Sequence, residues 1–320
     1  MAFNKILFVP TTDNLDLPGA QALLAMAGPG TEVDVFEPVY STDLQDYAVV
    51  DGQTYERARD ELVQKRLQRV AGLAEALKAR GLESSVTAAW DHPVHEAIIR
   101  RALSTKADLV ITEPIEGRAG ALSNADWRLA SRCPVPLLLV RREGAGGYAK
   151  IAAAVDPFHT HAKPVELDES IVRTAKEVQA LTRGELRVVH CFAPLTEIMP
   201  KDCSEYLPLD VAEETLEAHR REVLEELVEG AGLPAGAAKL LKGVPNAALR
   251  ALIEAGEVDL LVMGGLSRGR LQDFVLGNTA EHILYHTDVD ILLVKPPGFE
   301  TTVAEQRSED LLIRPLYFPF

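Results

Sequence analysis

No run of about 18 or more consecutive apolar residues occurs in this 320-residue chain, so a membrane-spanning helix is not expected. The opening residues, MAFNKILFVP, lack the longer apolar region and the small-residue cleavage site of a secretory leader. Cysteine is scarce. Cys133, Cys191 and Cys203 are the only three, and none has metal-ligand spacing to another. Reduced thiols and a cytoplasmic location are the expectation that follows. Positive charge is in deficit. The formal net charge is -15 and no basic patch stands out, so a nucleic-acid backbone is repelled on average. GxSxG, CxxC, HExxH and GxxxxGK(S/T) are all missing, so nothing points to an enzyme with a familiar nucleophile, metal centre or P-loop. What remains is ordinary for a soluble globular protein, 47% hydrophobic and 25% charged residues.

The chain repeats itself. KILFV (5–9) and KIAAAVD (150–156) each open a unit, followed by EVDVFEPV (32–39) and LRVVHCFAP (186–194). Each unit continues with a long charged helix. In the first, Leu62, Leu67, Val70, Leu73 and Leu77 recur at helical steps and Gly81 stops the pattern. SSVTAAW and AAKLLKG then match. So do a proline (Pro93, Pro245) with a short helix, the strands ADLVITEP and VDLLVMGG, and the closing CPVPLLLVRR and TDVDILLVKPP. Short continuous apolar runs suit strands covered on both faces, and strand–helix alternation implies parallel, doubly wound sheets. Residues 1–146 and 147–297 are thus expected to be two such domains. REGAGGYA (142–149) is the linker, too short to let the units part. The tail, 298–320, reads either as a loosely ordered terminus or as an arm packed on the chain's own surface or on a second copy.

In such sheets ligands bind beyond the carboxyl ends of the strands. VMGGLSRGRLQDFVLGNTAEHI (262–283) lies there in the second unit. Gly264 and Gly265 let the backbone turn and approach a ligand, Arg268 and Arg270 supply positive charge, and Gly277, Asn278 and Thr279 stand where a helix begins with its amides pointing outward. Asn278 or Thr279 serving only as a helix cap is the simpler alternative. Asp156, at the end of the unit's first strand, can accept from a purine amino group or a sugar hydroxyl.

The motif VMGG-LS-RGRLQDFVLGNTAEHIL…VDILLVKP, with the duplication from Lys5 to about Pro297, resembles the universal stress protein family in its tandem form. The resemblance implies two tandem Rossmann-like (adenine nucleotide alpha hydrolase-like) α/β domains, each a five-stranded parallel sheet of order 3-2-1-4-5. It implies ATP or another adenine nucleotide as the ligand of the second domain. By that likeness Asp156 and Cys191 face adenine, Gly243 and Pro245 form the loop after the third strand, and Gly264 and Gly277 are phosphate-loop glycines. Ser267 replaces the middle glycine and Asn278 the usual Ser or Thr, so binding is expected to be weakened. The first domain departs further. Thr11 stands in the place of Asp156, Glu113-Pro114 in that of the glycine pair, and Ser123–Asp126 in that of GNTA, so a structural, non-nucleotide role is expected.

Relatives of this kind pair through their last strands. Here PLLLVRR and DILLVKP would do so within one chain, giving an intramolecular pseudo-dimer, with a homodimer of tandems as a further level of assembly. The implied function is a cytoplasmic stress response in which a small-molecule ligand in the second domain controls binding to unspecified regulatory proteins, without turnover. The alternative is a binder or sensor of an apolar or acyl ligand in the same cleft. His92, His95, His159, His161, His282 and His286 each read as loop or surface histidines rather than metal ligands.

Overall fold

The computed structural model describes residues 3–11, 15–16, 18–48, 50–114, 122–142, 147–158, 166–195, 209–265 and 276–305. In the first half the elements run β1 (Lys5–Val9), α1 (Pro18–Met26), β2 (Glu32–Val39), α2 (Thr42–Tyr47), α3 (Gly52–Ala79), β3 (Glu83–Trp90), α4 (Val94–Thr105), β4 (Leu109–Thr112), α5 (Asn124–Arg132) and β5 (Leu137–Leu139). The second half follows with β6 (Lys150–Val155), α6 (Glu166–Thr182), β7 (Glu185–Phe192), α7 (Leu209–Gly230), a short 3₁₀ turn and β8 (Ala238–Lys242). It ends with α8 (Pro245–Glu254), β9 (Leu260–Gly264), α9 (Asn278–His286) and β10 (Asp290–Val294).

The described strands form one sheet, in the order β3-β2-β1-β4-β5-β10-β9-β6-β7-β8. Each half therefore has the order 3-2-1-4-5, and the two halves join rather than closing off separate sheets. Every neighbouring pair is parallel except the join, where β5 and β10 run antiparallel with Leu139 opposite Ile291, Leu138 opposite Leu292 and Leu137 opposite Leu293. These residues are fully buried, as is the whole of β4. The chain places no polar residue in β5 because helices cover both faces of the strand. One face of the join, Leu138, Val140, Leu292 and Val294, packs with Ile6, Phe8, Ile151 and Ala153. The other, Leu137, Leu139, Ile291 and Leu293, packs with Leu7, Val110, Leu261 and Met263. Both apolar layers thus cross the boundary between the halves, and each buried leucine contributes about 2–3 kcal/mol.

Polar groups tie the same boundary. Asp290, fully buried at the start of β10, accepts from the Arg141 and Arg142 amides (2.7 and 2.8 Å) and from the Tyr148 hydroxyl (2.9 Å). Tyr148, at the end of what reads as a plain glycine–alanine linker, is itself fully buried. The halves also exchange cations. Arg141, just past β5, donates through Nη1 to the Leu284 carbonyl in the last turn of α9 (2.6 Å). Lys295, just past β10, donates through Nζ to the Ala130 and Ser131 carbonyls in the last turns of α5 (2.9 and 3.1 Å). The shift in numbering that carries Arg141 to Lys295 carries Ala130 to Leu284, so this is one contact made twice about the pseudo-dyad. Each cation satisfies carbonyls that a helix C-terminus leaves without an intrahelical partner.

The tail is in contact with the body as far as it is described: Val303 is buried in the second apolar layer. Residues 306–320 lie outside the described residues, as do His159, His161 and Cys203. His95 corrects an expectation. It is not a loop or surface residue but sits on α4, 2% exposed, and its Nε2 has no hydrogen-bond partner among the described residues. Burial pushes its imidazole down to about 4. Cys133 is buried, and burial pushes its thiol up to about 11.

Two stability measurements follow. Asp290→Ala leaves two amides and a hydroxyl buried without an acceptor and should cost about 3 kcal/mol in urea unfolding, against about 1 kcal/mol for Tyr148→Phe. Equal losses would show that the carboxylate does not organise the join. His95 titrates in the unfolded chain near 6.5 but stays neutral in the fold down to about 4, so the unfolded state binds the extra proton and stability falls with acidity in that window. Between about pH 7 and about pH 5, His95→Leu should lose about 2 kcal/mol less than the parent. Parallel pH curves for the two proteins would remove His95 from the acid response.

Candidate functional site

Doubly wound sheets open a crevice where crossovers leave in opposite directions, beyond the strands' carboxyl ends. In the second half that crevice is a cavity of about 240 Å³. Asp156 and Cys191 line it from β6 and β7, and Gly264 from the end of β9. Pro245 contributes from the first turn of α8, and Gly277, Asn278 and Thr279 from the start of α9. Gly243 is not in the wall. It forms the turn from β8 into α8 at a φ of +135°, a conformation that excludes a side chain there. Ser267 and Arg268, with Arg270, lie outside the described residues.

The helix that faces the cavity answers the question of capping. Gly277, not Asn278 or Thr279, is the N-cap residue of α9, and no side chain caps it. The amides of the first turn therefore open toward the cavity with no side-chain cap among the described residues, the arrangement that favours an anion. The glycine pair also differs in its physical reason. Neither Gly264 nor Gly265 takes a positive φ; a Cβ on Gly264 would instead stand 3.0 Å from Leu167 of α6, and one on Gly265 would stand 2.9 Å from the Lys295 ammonium. Small size here serves close packing rather than an unusual turn.

The opposite wall is apolar and was not picked out from the sequence. Leu167 and Ile171 of α6, Leu249 of α8, Met263 of β9 and Val189 of β7 supply it. Asp168, in the first turn of α6 and buried, accepts from the Asp156 amide (3.1 Å) and brings a second carboxylate to the wall. An acidic first turn on the helix after the first strand was the available signal. Burial pushes the Cys191 thiol up to about 12, with the Asp156 carboxylate adding to the effect, so it lines the cavity as a neutral group. His190, on the other face of β7, is buried with Nδ1 3.2 Å from the Val155 carbonyl and 3.8 Å from Asp156, and burial lowers its pKa. No group of three or more His, Cys, Asp or Glu that could hold a metal ion occurs among the described residues.

The first half builds the same places differently. Glu113, the counterpart of Gly264, turns its carboxylate back onto the chain. It accepts from the Gly19 amide at the start of α1 (2.8 Å) and from the Thr11 hydroxyl. At α5, Ser123 accepts from the Asp126 amide, and the Asp126 carboxylate accepts from the Ser123 amide (2.8 Å) and hydroxyl (2.9 Å), a closed capping box. Asp126 is fully buried, and its carboxylate satisfies the helix start. Glu37 of β2 takes both oxygens to Arg69 of α3 (2.6 Å each). In the register that pairs Lys5 with Glu32 and Lys150 with Glu185, the counterpart of Glu37 is His190. The counterpart of Arg69 is Arg220, which lies over the Phe192 ring at 4.9 Å instead of in a carboxylate pair on the strand.

Residues 147–295 match the universal stress protein family. Along nearly its whole length the chain is similar to Universal stress protein E of Photorhabdus laumondii, 22% identical over 94% of this chain and 98% of that one. It is likewise similar to Universal stress protein E of Escherichia coli K12, 24% identical over 88% and 90%. Among solved structures, a functionally unknown protein of Pseudomonas aeruginosa PAO1 superposes with a TM-score of 0.68 at 21% identity, over 92% of this chain and 93% of the other. A universal stress protein of Archaeoglobus fulgidus does so with 0.56 at 17%, over 91% and 98%. These two share the fold. The second half thus matches the universal stress protein family, and the chain as a whole is similar to the E-type proteins along most of its length.

Proposed function

We propose that the second half takes an adenine nucleotide and that the chain acts in the cytoplasmic stress response as a ligand-dependent binding protein without turnover, the first half (1–146) having a structural role. The observation that carries this reading is the convergence on one cavity of Asp156, Gly264 and the uncapped start of α9. The apolar wall accepts a planar base, Asp156 offers an acceptor for its amino group, and the α9 amides take the phosphates. A volume of about 240 Å³ suits the base and sugar, with the phosphates at the mouth. At the corresponding places of the first half, among the described residues, Glu113 and Asp126 already satisfy the chain's own polar groups. Regulation rather than catalysis fits a cavity whose described lining presents two carboxylates and a neutral thiol but no base–nucleophile pair.

A second reading keeps the cavity and changes the ligand. The run of Leu167, Ile171, Leu249 and Met263 favours an apolar or acyl chain, and the two carboxylates, Asp156 and Asp168, disfavour an anion close to them.

Calorimetric titration separates the two. The parent should bind ATP, ADP or AMP, and Asp156→Ala and Gly277→Asp should each weaken binding about 100-fold or more. Gly277 has a φ of -63°, so aspartate fits there, caps α9 and leaves stability within about 0.5 kcal/mol, while its charge takes the phosphate position. A parent without affinity for any of the three nucleotides refutes the first reading. Binding of a fluorescent acyl probe that survives Gly277→Asp then supports the second.

A further inference from the structure

We infer that Lys295 is a positioning residue for the cavity: its ammonium fastens the backbone at the end of β9 to the last turn of α5, so that the first half holds the ligand site of the second half in shape. The inference rests on the reading that this cavity is the ligand site.

Three carbonyls meet one ammonium. Lys295 Nζ donates to Ala130 and Ser131 at 2.9 and 3.1 Å and to the Gly265 carbonyl. The three ammonium protons match three acceptors, two from the first half and one from the second. Lys295 is 7% exposed, and the Phe299 ring, 5.2 Å from Nζ, lies against it. Gly265 is held at both of its polar atoms by consecutive residues, its amide by the Val294 carbonyl (3.0 Å) and its carbonyl by Lys295. It directly follows Gly264, which lines the cavity. A Cβ at Gly265 would come 2.9 Å from Nζ, so glycine is what lets the ammonium reach the carbonyl.

Comparison with the other half separates this from generic helix capping. Arg141 makes the equivalent contact to Leu284, with Asp288 3.7 Å away, while Pro114 stands in the place of Gly265. The half with the described cavity has a lysine whose third proton goes to the loop; the other half has a planar guanidinium at the equivalent position. A buried ammonium without its acceptors is costly, and buried carbonyls without their donor are costly too, so α5 and Gly265 shift together or not at all. Burial pushes the ammonium down to about 7, and the titratable group facing it among the described residues is the Cys133 thiol.

Hydrogen exchange on the full chain, read by mass spectrometry, tests the coupling without a ligand. In Lys295→Met the amides of Val262–Gly265 and Gly277–Ala280 should exchange about tenfold faster, together with the last turn of α5. Lys295→Arg, which keeps a charged donor, should restore most of the protection. ATP affinity, measured alongside, should fall about tenfold in Lys295→Met and recover in Lys295→Arg. Loosening confined to α5, with the two cavity segments unchanged, overturns the inference. Should Lys295→Met not fold, the parent carries the test. With chemical exchange rates corrected, protection of Val262–Gly265 should drop between about pH 6 and about pH 9 as the ammonium loses its proton, more steeply than in Lys295→Arg. Equal slopes overturn the inference. A parent that binds no nucleotide yet shows the loosening in Lys295→Met refutes the nucleotide reading and leaves the coupling standing.

Discussion

The antiparallel pairing of β5 with β10 is the constraint on which the rest depends. A strand of three leucines has little surface with which to end a sheet. Left as an edge, it would expose unpaired amides and carbonyls beside a wholly apolar side-chain face. Pairing it with its own counterpart satisfies the backbone and lets both apolar layers run through the boundary. In a single-domain relative of this fold, a second chain would have to supply that strand. Here residues 140–149 deliver it in the same molecule, and Tyr148 and Asp290 fix the delivery from within the join. The reciprocal contacts of Arg141 and Lys295 then carry the join outward to the last helix of each half.

Once the partner is covalently attached, the two halves need not stay alike. The pairing, the cations and the buried strands depend on both copies, whereas the side chains that line or fill a cavity in either copy come from its own loop ends. The first half illustrates the freedom this leaves. It spends Glu113 on the Gly19 amide and Asp126 on Ser123, and it closes Glu37 onto Arg69. Each of these contacts satisfies by the chain itself a polar group that an open site would leave for a ligand. The second half has glycine (Gly264), alanine (Ala280) and histidine (His190) at the corresponding places, and none of the three carries a carboxylate that can fold back in this way.

Much of this architecture is legible in the sequence because strands buried on both faces must be written as unbroken apolar runs, and KILFV, ADLVITEP, PLLLV and DILLV are such runs. The order of elements, the duplication and the meeting of the last strands follow from those runs and from the family likeness. The site is legible only in part. Asp156, Gly264 and Gly277, which line the candidate cavity, stand at strand ends and a helix start, where position alone points to them. Asp168 and the apolar wall do not stand out, since Leu167 and Ile171 look like any buried helical stripe until the helix is docked. His95 misleads for a related reason. The string DHPVH reads as a loop with surface histidines, yet Pro93 serves as the N-cap of α4 and the second histidine falls on its buried face. Bonds to backbone carbonyls are the least legible of all, because Ala130, Ser131 and Gly265 carry no side-chain mark of the ammonium they hold.

The bonds of Lys295 place a demand on the first half beyond covering a strand edge. If the first half served only to cover an edge, any apolar strand in register would suffice, and the last turn of α5 would be under no particular demand. The carbonyls of Ala130 and Ser131 instead take two of the three protons of a buried cation whose third goes to the cavity loop. Moving α5 by even an ångström would break hydrogen bonds in a place that water cannot repair, and the loop at Gly265 would have to follow or lose its donor. A pocket on one half thereby comes to depend on the packing of the other. An ancestral symmetric dimer would have had this coupling in both directions; after fusion, the direction that ends on Gly265 is the one that reaches an open cavity.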